Sequence, residues 1–431
     1  MVAARSQHAQ AGDPPGRPPA NDPFAAATTS LDAAHIRWVR LRPRGDGRED
    51  DLLVEDGAWP AIGRALASAG YVAVRRLGRG SHRAFHAFDA ATGAWPKLDL
   101  VTRIDLGRHQ EHPTALAGRM LRARRPSPDG RGWSLAPDDG FWALLLHDLF
   151  DRDEPAIRHA DELAALAAEI DPDAPVDDDV RRLLPPGTAP AEVIRRAIAS
   201  DGDHLEALGA RMRRAARSPV TVARSVRSKV VRRIDRLDLP FVRPGLGVAL
   251  LGPDGAGKST LVTTFASGAP LPVRSVYLGL YGGSGGGRRR LPIPGLGLAG
   301  RLLRMWRGWL VGRWHIARGR LVLFDRHPVE ARMRPLDGRR PSLGRRILGR
   351  SLPIPEVVIV LDAPAATLFA RKAEHPIERL EAMRAGYLGL AKRLRQASVV
   401  DVSGAPEGVA RDVTALAWGR LAERLRSRGG R

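Results

Sequence analysis

The chain contains no cysteine among its 431 residues. Disulfide stapling, thiol catalysis and cysteine-ligated zinc are therefore excluded. Long apolar runs are also missing. The most membrane-like stretch, Leu298–Ile316, is interrupted by Arg301, Arg304, Arg307 and Arg313, too many charges for a spanning helix. Residues 1–30 are rich in Ala, Pro, Gly and Gln and lack an apolar segment. They read as a disordered tail, not a secretory signal, and a cytoplasmic location is expected. Lysine is scarce, at five of the 69 basic residues. The formal net charge is nonetheless +22, which invites a nucleic-acid reading. GC-rich coding explains the arginine bias equally well, and much of the excess sits in Arg211–Arg243. ATP, acidic metabolites or an anionic membrane surface would answer the charge too, so nucleic acid is not favoured as the main ligand.

The most informative run lies at residues 248–260. An apolar strand leads into Gly252-Pro253-Asp254-Gly255-Ala256-Gly257-Lys258-Ser259-Thr260 and then a helix. The spacing Gly-x-x-x-x-Gly-Lys-Ser is that of a phosphate-binding loop. Its glycines let backbone N–H groups turn toward phosphate oxygens. Lys258 is placed to reach the β/γ-phosphates of ATP, and the Ser259 hydroxyl to ligate Mg²⁺.

Two folded units are expected around this motif. The first runs over residues 31–210. Strands are predicted at Ile36–Leu41, Asp51–Val54, Tyr71–Leu77, Arg83–Phe88 and Lys97–Ile104, with a helix at Trp59–Ala69. From Phe141 to Leu208 the pattern turns helical. Residues 211–243 form a basic amphipathic connector. The second unit, 244–431, alternates helices with strands at Gly247–Leu251, Ser275–Leu278, Leu321–Phe324, Glu356–Leu361 and Ser398–Val402. That alternation implies an α/β fold with a doubly wound parallel sheet, helices on both faces and ligands at the strand C-termini.

Further candidate residues fall at those strand ends. Leu321–Phe324 runs into Asp325, Arg326 and His327. Asp325 suits Mg²⁺ or polarisation of an acceptor, and Arg326 suits an anionic acceptor. After Asp362 a basic helical region carries Arg371, Lys372, Glu374, Glu378, Arg379 and Glu381. Guanidinium groups there would close over ATP.

These pieces, with Tyr387, resemble the thymidylate kinase family of P-loop proteins over about residues 245–425. The resemblance implies that Asp254 faces the acceptor sugar and Arg326 the acceptor phosphate. It also implies that Arg371 or Arg379 belongs to a mobile lid over ATP. The acceptor side departs from the family. Gly279–Arg290 is Gly- and Arg-rich where the family carries Arg-Glu-Pro-Gly-Gly-Thr. His327 replaces Tyr, and Pro328–Arg334 replaces a Ser-rich stretch. Thymidylate itself is therefore not the expected substrate. Leu302–His315, with Trp306, Trp309 and Trp314, is expected to wall the acceptor site or to be an amphipathic core helix.

In the first unit Glu49, Asp50 and Asp51 stand at the start of one strand, and Asp99 lies in another. This resembles a minimal nucleotidyltransferase, an α+β domain with a helical extension. In that fold Glu49, Asp51 and Asp99 would hold two metal ions. The Gly-Ser that normally precedes the acidic pair is missing, with only Arg44–Gly47 near its place. A degenerate, substrate-recognising domain is the expectation.

The reading is an ATP- and Mg²⁺-dependent phosphotransferase. Lys258 and Arg371 serve the ATP phosphates, and Asp325 and Arg326 the small acceptor, most simply a nucleoside monophosphate. An NTPase regulating a nucleic-acid or assembly partner, and nucleotidyl transfer by the first unit, are the alternatives. A homodimer remains open.

Overall fold

A computed structural model describes residues 22–42, 49–74, 80–151, 156–237, 245–266, 269–279, 296–336 and 339–429. The expected strand Tyr71–Leu77 is described only in part, and the turn at Arg44–Gly47 and most of Gly279–Arg290 lie outside the described residues.

The chain opens on α1 (Pro23–Ala33), which corrects the expectation of disorder as far as residue 30. Asp22 caps it through the Phe24 and Ala25 amides, with Pro23 at the first helical position. Phe24, Ala27 and Leu31 then enter the same core as Trp38, Leu52 and Leu66. Low complexity before residue 22 masked an amphipathic turn pattern after it.

The strands that follow are β1 (Trp38–Arg42), β2 (Glu49–Val54), β3 (Val72–Val74), β4 (Arg83–His86), β5 (Lys97–Val101), β6 (Asp105–Leu106), β7 (His112–Pro113), β8 (Arg125–Pro126) and β9 (Trp133–Ser134). Helix α2 (Trp59–Ser68) lies between β2 and β3, and α3 (Leu116–Ala123) precedes β8. Among the described residues the main sheet has the order β3-β4-β5-β2-β1-β9-β8, and β6 pairs with β7. The β2–β5 pair is parallel within a largely antiparallel sheet. Behind it pack α4 (Pro137–Phe150), α5 (Ala160–Ala168), α6 (Asp178–Leu183), α7 (Pro190–Ile198) and α8 (Gly202–Ala216), through Phe141, Trp142, Leu145, Leu163, Val193 and Leu205.

The basic connector is two helices, not one. Helix α8 ends at Ala216, and a capping box between Ser218 and Thr221 starts α9 (Pro219–Arg236).

The second half has β10 (Leu246–Leu251), α10 (Lys258–Ala266), β11 (Val273–Tyr277), α11 (Leu296–Ala317), β12 (Leu321–Asp325) and a 3₁₀ turn at Pro328–Arg332. It continues with α12 (Leu343–Arg350), β13 (Val357–Asp362), α13 (Ala365–Arg371), α14 (Ile377–Ala391), β14 (Ala397–Asp401) and α15 (Pro406–Gly429). The five strands are all parallel, in the order β11-β12-β10-β13-β14. Helices cover both faces. Leu246, Val248 and Leu250 of β10 join a core with Leu261 of α10 and Val413 and Leu421 of α15. Ala249 and Leu251 point the other way, onto Met305 and Ile316 of α11 and Leu390 of α14. A strand covered on both sides has no polar alternation, which is why β10, β12 and β13 read as apolar runs.

The two halves share apolar packing. Val72 and Val74 of β3 belong to the same core as β10, α10 and α15. Trp95 stacks edge-on against Trp418 of α15 at 4.9 Å and meets Phe88 at 4.7 Å. Arg411 donates to the Ala91 carbonyl. The junction near residue 244 divides the chain, but this core spans it. Among the described residues no helix is long and apolar enough to cross a membrane.

Candidate functional site

Parallel pairing brings the ends of β10, β11 and β12 to one edge, with Leu250 and Tyr277 both opposite Asp325. The chain leaves β10 through the glycine loop 252–257. Gly252, Gly255 and Gly257 have φ of +149°, +87° and +78°, which side-chain-bearing residues rarely adopt. A Cβ at Gly252 would lie 2.8 Å from the Leu361 carbonyl, and one at Gly255 2.8 Å from that of Leu368. The loop thus wraps tightly against β13 and α13, and its glycines are required sterically.

Lys258 opens α10 but folds back across the loop. Its Nζ donates to the carbonyls of Gly252 at 2.8 Å and Pro253 at 2.7 Å. Burial, helped by the nearby Arg326, pushes its pKa down to about 8 against the opposing pull of Asp254, Glu330 and Asp325. The amine is held by carbonyl dipoles and, among the described residues, has no carboxylate in hydrogen-bond contact. Such a group is poised to accept phosphate charge.

Arg326 adopts φ +65°, in the left-handed region. Its amide donates to the Leu250 carbonyl, anchoring it to β10. The guanidinium reaches Asp254 at 2.5 Å and Glu330 at 3.7 Å. The partner of Arg326 is therefore the loop residue Asp254, across the sheet edge, and not its neighbour Asp325. Asp325 Oδ1 is buried and has no hydrogen-bond partner among the described residues. An oxygen of that kind beside a glycine loop suits a hard cation.

Glu330 went unrecognised in the sequence. It sits in the Pro328–Arg332 turn and is 5% exposed. Burial raises its carboxyl to about 7, opposed by Arg326, Lys258 and a hydrogen bond from Tyr387. Oε1 lacks a partner among the described residues. Tyr387 is itself buried, its hydroxyl pKa raised by burial and by Glu330. The only sequence signal was an acid in an apolar setting, Pro328-Val329-Glu330-Ala331. His327 is buried and neutral, its pKa lowered to about 4 by burial, and Nδ1 accepts from the Val329 amide. It shapes the turn that presents Glu330.

Beside the loop lies a cavity of about 350 Å³ lined by Asp254, Tyr277, Arg326, Glu330, Arg334 and Arg379, with Met333 and Met383 as apolar wall. Arg345 steadies this wall by donating to the Ala331 and Met333 carbonyls. The structure brings Arg379 into this cavity. It leaves Arg371 exposed at the end of α13, outside the cavity lining. Trp306, Trp309 and Trp314, expected to wall the acceptor site or to belong to an amphipathic core helix, do not line this cavity. Trp309 packs against the sheet, while Trp306 and Trp314 face outward.

In the first half, parallel pairing sets Asp51 opposite Asp99 and Glu49 opposite Lys97. Residues two apart share a face, so all four meet. Ligand atoms of Glu49, Asp51 and Asp99 lie within 4.8 Å of one another. Lys97 Nζ, however, bridges Glu49 and Asp99 at 2.6 Å each. The donor set suits Mg²⁺, but a cation must displace an ammonium already in place. No protein-family model matches the chain, and no curated protein matches its sequence.

Proposed function

We propose that residues 245–429 form a P-loop phosphotransferase, which moves the γ-phosphoryl group of Mg·ATP to a small acceptor in the Asp254–Arg326–Glu330 cavity. The observation that carries this reading is Lys258, buried and folded onto its own glycine loop, next to a charged cavity of small-molecule size. Mg·ATP would supply the transferable phosphoryl group and most of the charge neutralisation. Lys258 would leave the Gly252 and Pro253 carbonyls and turn to the phosphates. The Ser259 hydroxyl and the unpartnered Asp325 oxygen would hold Mg²⁺. The loop glycines and the start of α10 at Lys258, Ser259 and Thr260 would cradle phosphate oxygens.

On the acceptor side, Arg326 is fixed between Asp254 and Glu330, oriented before any substrate arrives. Phosphoryl transfer depends mainly on such positioning and charge stabilisation. Arg334 and Arg379 add positive charge to the cavity, which favours a phosphorylated acceptor such as a nucleoside monophosphate. We read the first half as a nucleotidyltransferase-like domain that recognises and does not catalyse, because Lys97 occupies its acidic cluster. The test is γ-labelled ATP with full-length protein and a panel of nucleoside monophosphates, sugars and sugar phosphates. Label transfer to one acceptor class, lost on omitting Mg²⁺, supports the proposal. Hydrolysis indifferent to every acceptor contradicts it.

A further inference from the structure

Among the described residues, helix α11 covers the sheet with one face and leaves the opposite face exposed. Met305, Gly312 and Ile316 point inward. Leu303, Leu310 and Trp314 fall within about 40° of one another on the other side, at 100° per residue. They are 74%, 55% and 52% exposed. Trp306 and Val311 flank them and are exposed as well. The helix carries Arg301, Arg304, Arg307 and Arg313 and no acidic residue.

Helix α9 presents a similar surface. None of its described side chains is buried. Val226, Val230 and Ile234 form an exposed row along it, continued by Leu237 just past its end. Six basic residues face a single acid, Asp235. A helix that buries nothing gains little from tertiary packing. The two helices meet at their C-terminal ends, where Arg318 donates to the Leu237 carbonyl and lies 5.8 Å from the ring centre of Trp314. The exposed Leu237 thus adjoins the exposed Trp314.

We propose that α11, together with α9, docks this protein onto the surface of an anionic lipid bilayer. Charge complementarity selects that occupant. Arg304, Arg307 and Arg313 flank the apolar row, so their stems lie along it while their guanidinium groups reach lipid phosphates. Tryptophan suits the headgroup boundary, where one edge of the indole is wet and the rest is not. A second copy fits poorly. Two α11 faces together would set arginines against arginines, with no acid in either helix to answer them.

The test is flotation of full-length protein with phosphatidylcholine vesicles, with and without phosphatidylglycerol. Binding should require the anionic lipid and fall with added salt. The triple variant Leu303→Glu, Leu310→Glu, Trp314→Glu should lose at least about tenfold in partition with an unchanged melting temperature. Should that variant misfold, replacing Arg301, Arg304, Arg307 and Arg313 with Gln keeps the apolar row and should weaken the preference for anionic lipid at least about tenfold. The proposal is overturned if the wild type ignores both vesicles, or if the folded variants bind as the wild type does. It is equally overturned if the wild type is a dimer that the triple variant splits, with no vesicle binding by either.

Discussion

Binding of Mg·ATP should draw a proton onto Lys258. Its amine, pushed down to about 8 by burial, is about half neutral at pH 8 and about nine-tenths neutral at pH 9. Phosphate oxygens in place of the Gly252 and Pro253 carbonyls favour the charged form and return it toward the ordinary lysine value. Proton uptake on binding should therefore rise from ~0.5 per site at pH 8 to ~0.9 at pH 9. Affinity should weaken toward tenfold per pH unit above about pH 8, or ~1.4 kcal/mol per unit. The sign for the free protein is opposite. Between about pH 8 and the unfolded-state value near 10.5, the unfolded chain holds the extra proton, so the Lys258 contribution to folding stability improves as pH rises. Glu330, raised to about 7, is largely ionised above pH 8 and adds little to the change. Calorimetric titration in two buffers of different ionisation enthalpy reads the uptake directly. Tight binding with no buffer dependence at pH 9, or an affinity flat across this range, would refute the placement of Lys258 against phosphate.

Three other outcomes follow from the geometry. Asp325→Asn should lower turnover by about 100-fold or more, ~3 kcal/mol in the transition state, while Arg326→Ala should raise the acceptor KM more than the ATP KM; steady-state kinetics with both substrates varied decides, and wild-type values in both would reduce the pair to a structural role. Trp418→Ala removes the indole that packs on Trp95 and should cost ~3 kcal/mol or more. Because the core spans both halves, calorimetry should show one shifted unfolding transition, and an unshifted first-half transition would contradict the shared core. Asp51→Asn with Asp99→Asn should leave ATP consumption nearly intact, and pyrophosphate release that vanishes in this pair would make the first half a second enzyme.

The second half was legible because its signals are local. Short apolar stretches alternating with helical segments named all five parallel strands to within a residue or two, and the glycine spacing named the loop between Leu251 and Lys258. The acidic constellation of Glu49, Asp51 and Asp99 was also legible, since residues two apart on adjacent strands must share a face. What escaped was pairing between distant positions. Nothing near Lys97 announces that its ammonium fills that cluster. Arg326 reads as a group facing an anionic acceptor, and nothing in the sequence announces its ion pair with Asp254, 72 residues earlier, made from a left-handed backbone. Glu330 looks like any charged turn residue until Tyr387, from another helix, closes over it. Trp306 and Trp314 look like site walls until the phase of α11 turns them outward.

The central claim is that the loop from Gly252 to Ser259 binds the phosphates of Mg·ATP through Lys258. Isothermal titration of Mg·ATP into full-length wild type and Lys258→Ala, each with its melting temperature recorded, tests it most directly. The account predicts saturable one-site binding by the wild type and a loss of at least about tenfold, ~1.4 kcal/mol, in a variant that melts no lower. Equal affinity in a folded Lys258→Ala, or no binding by the wild type at millimolar nucleotide, would contradict it.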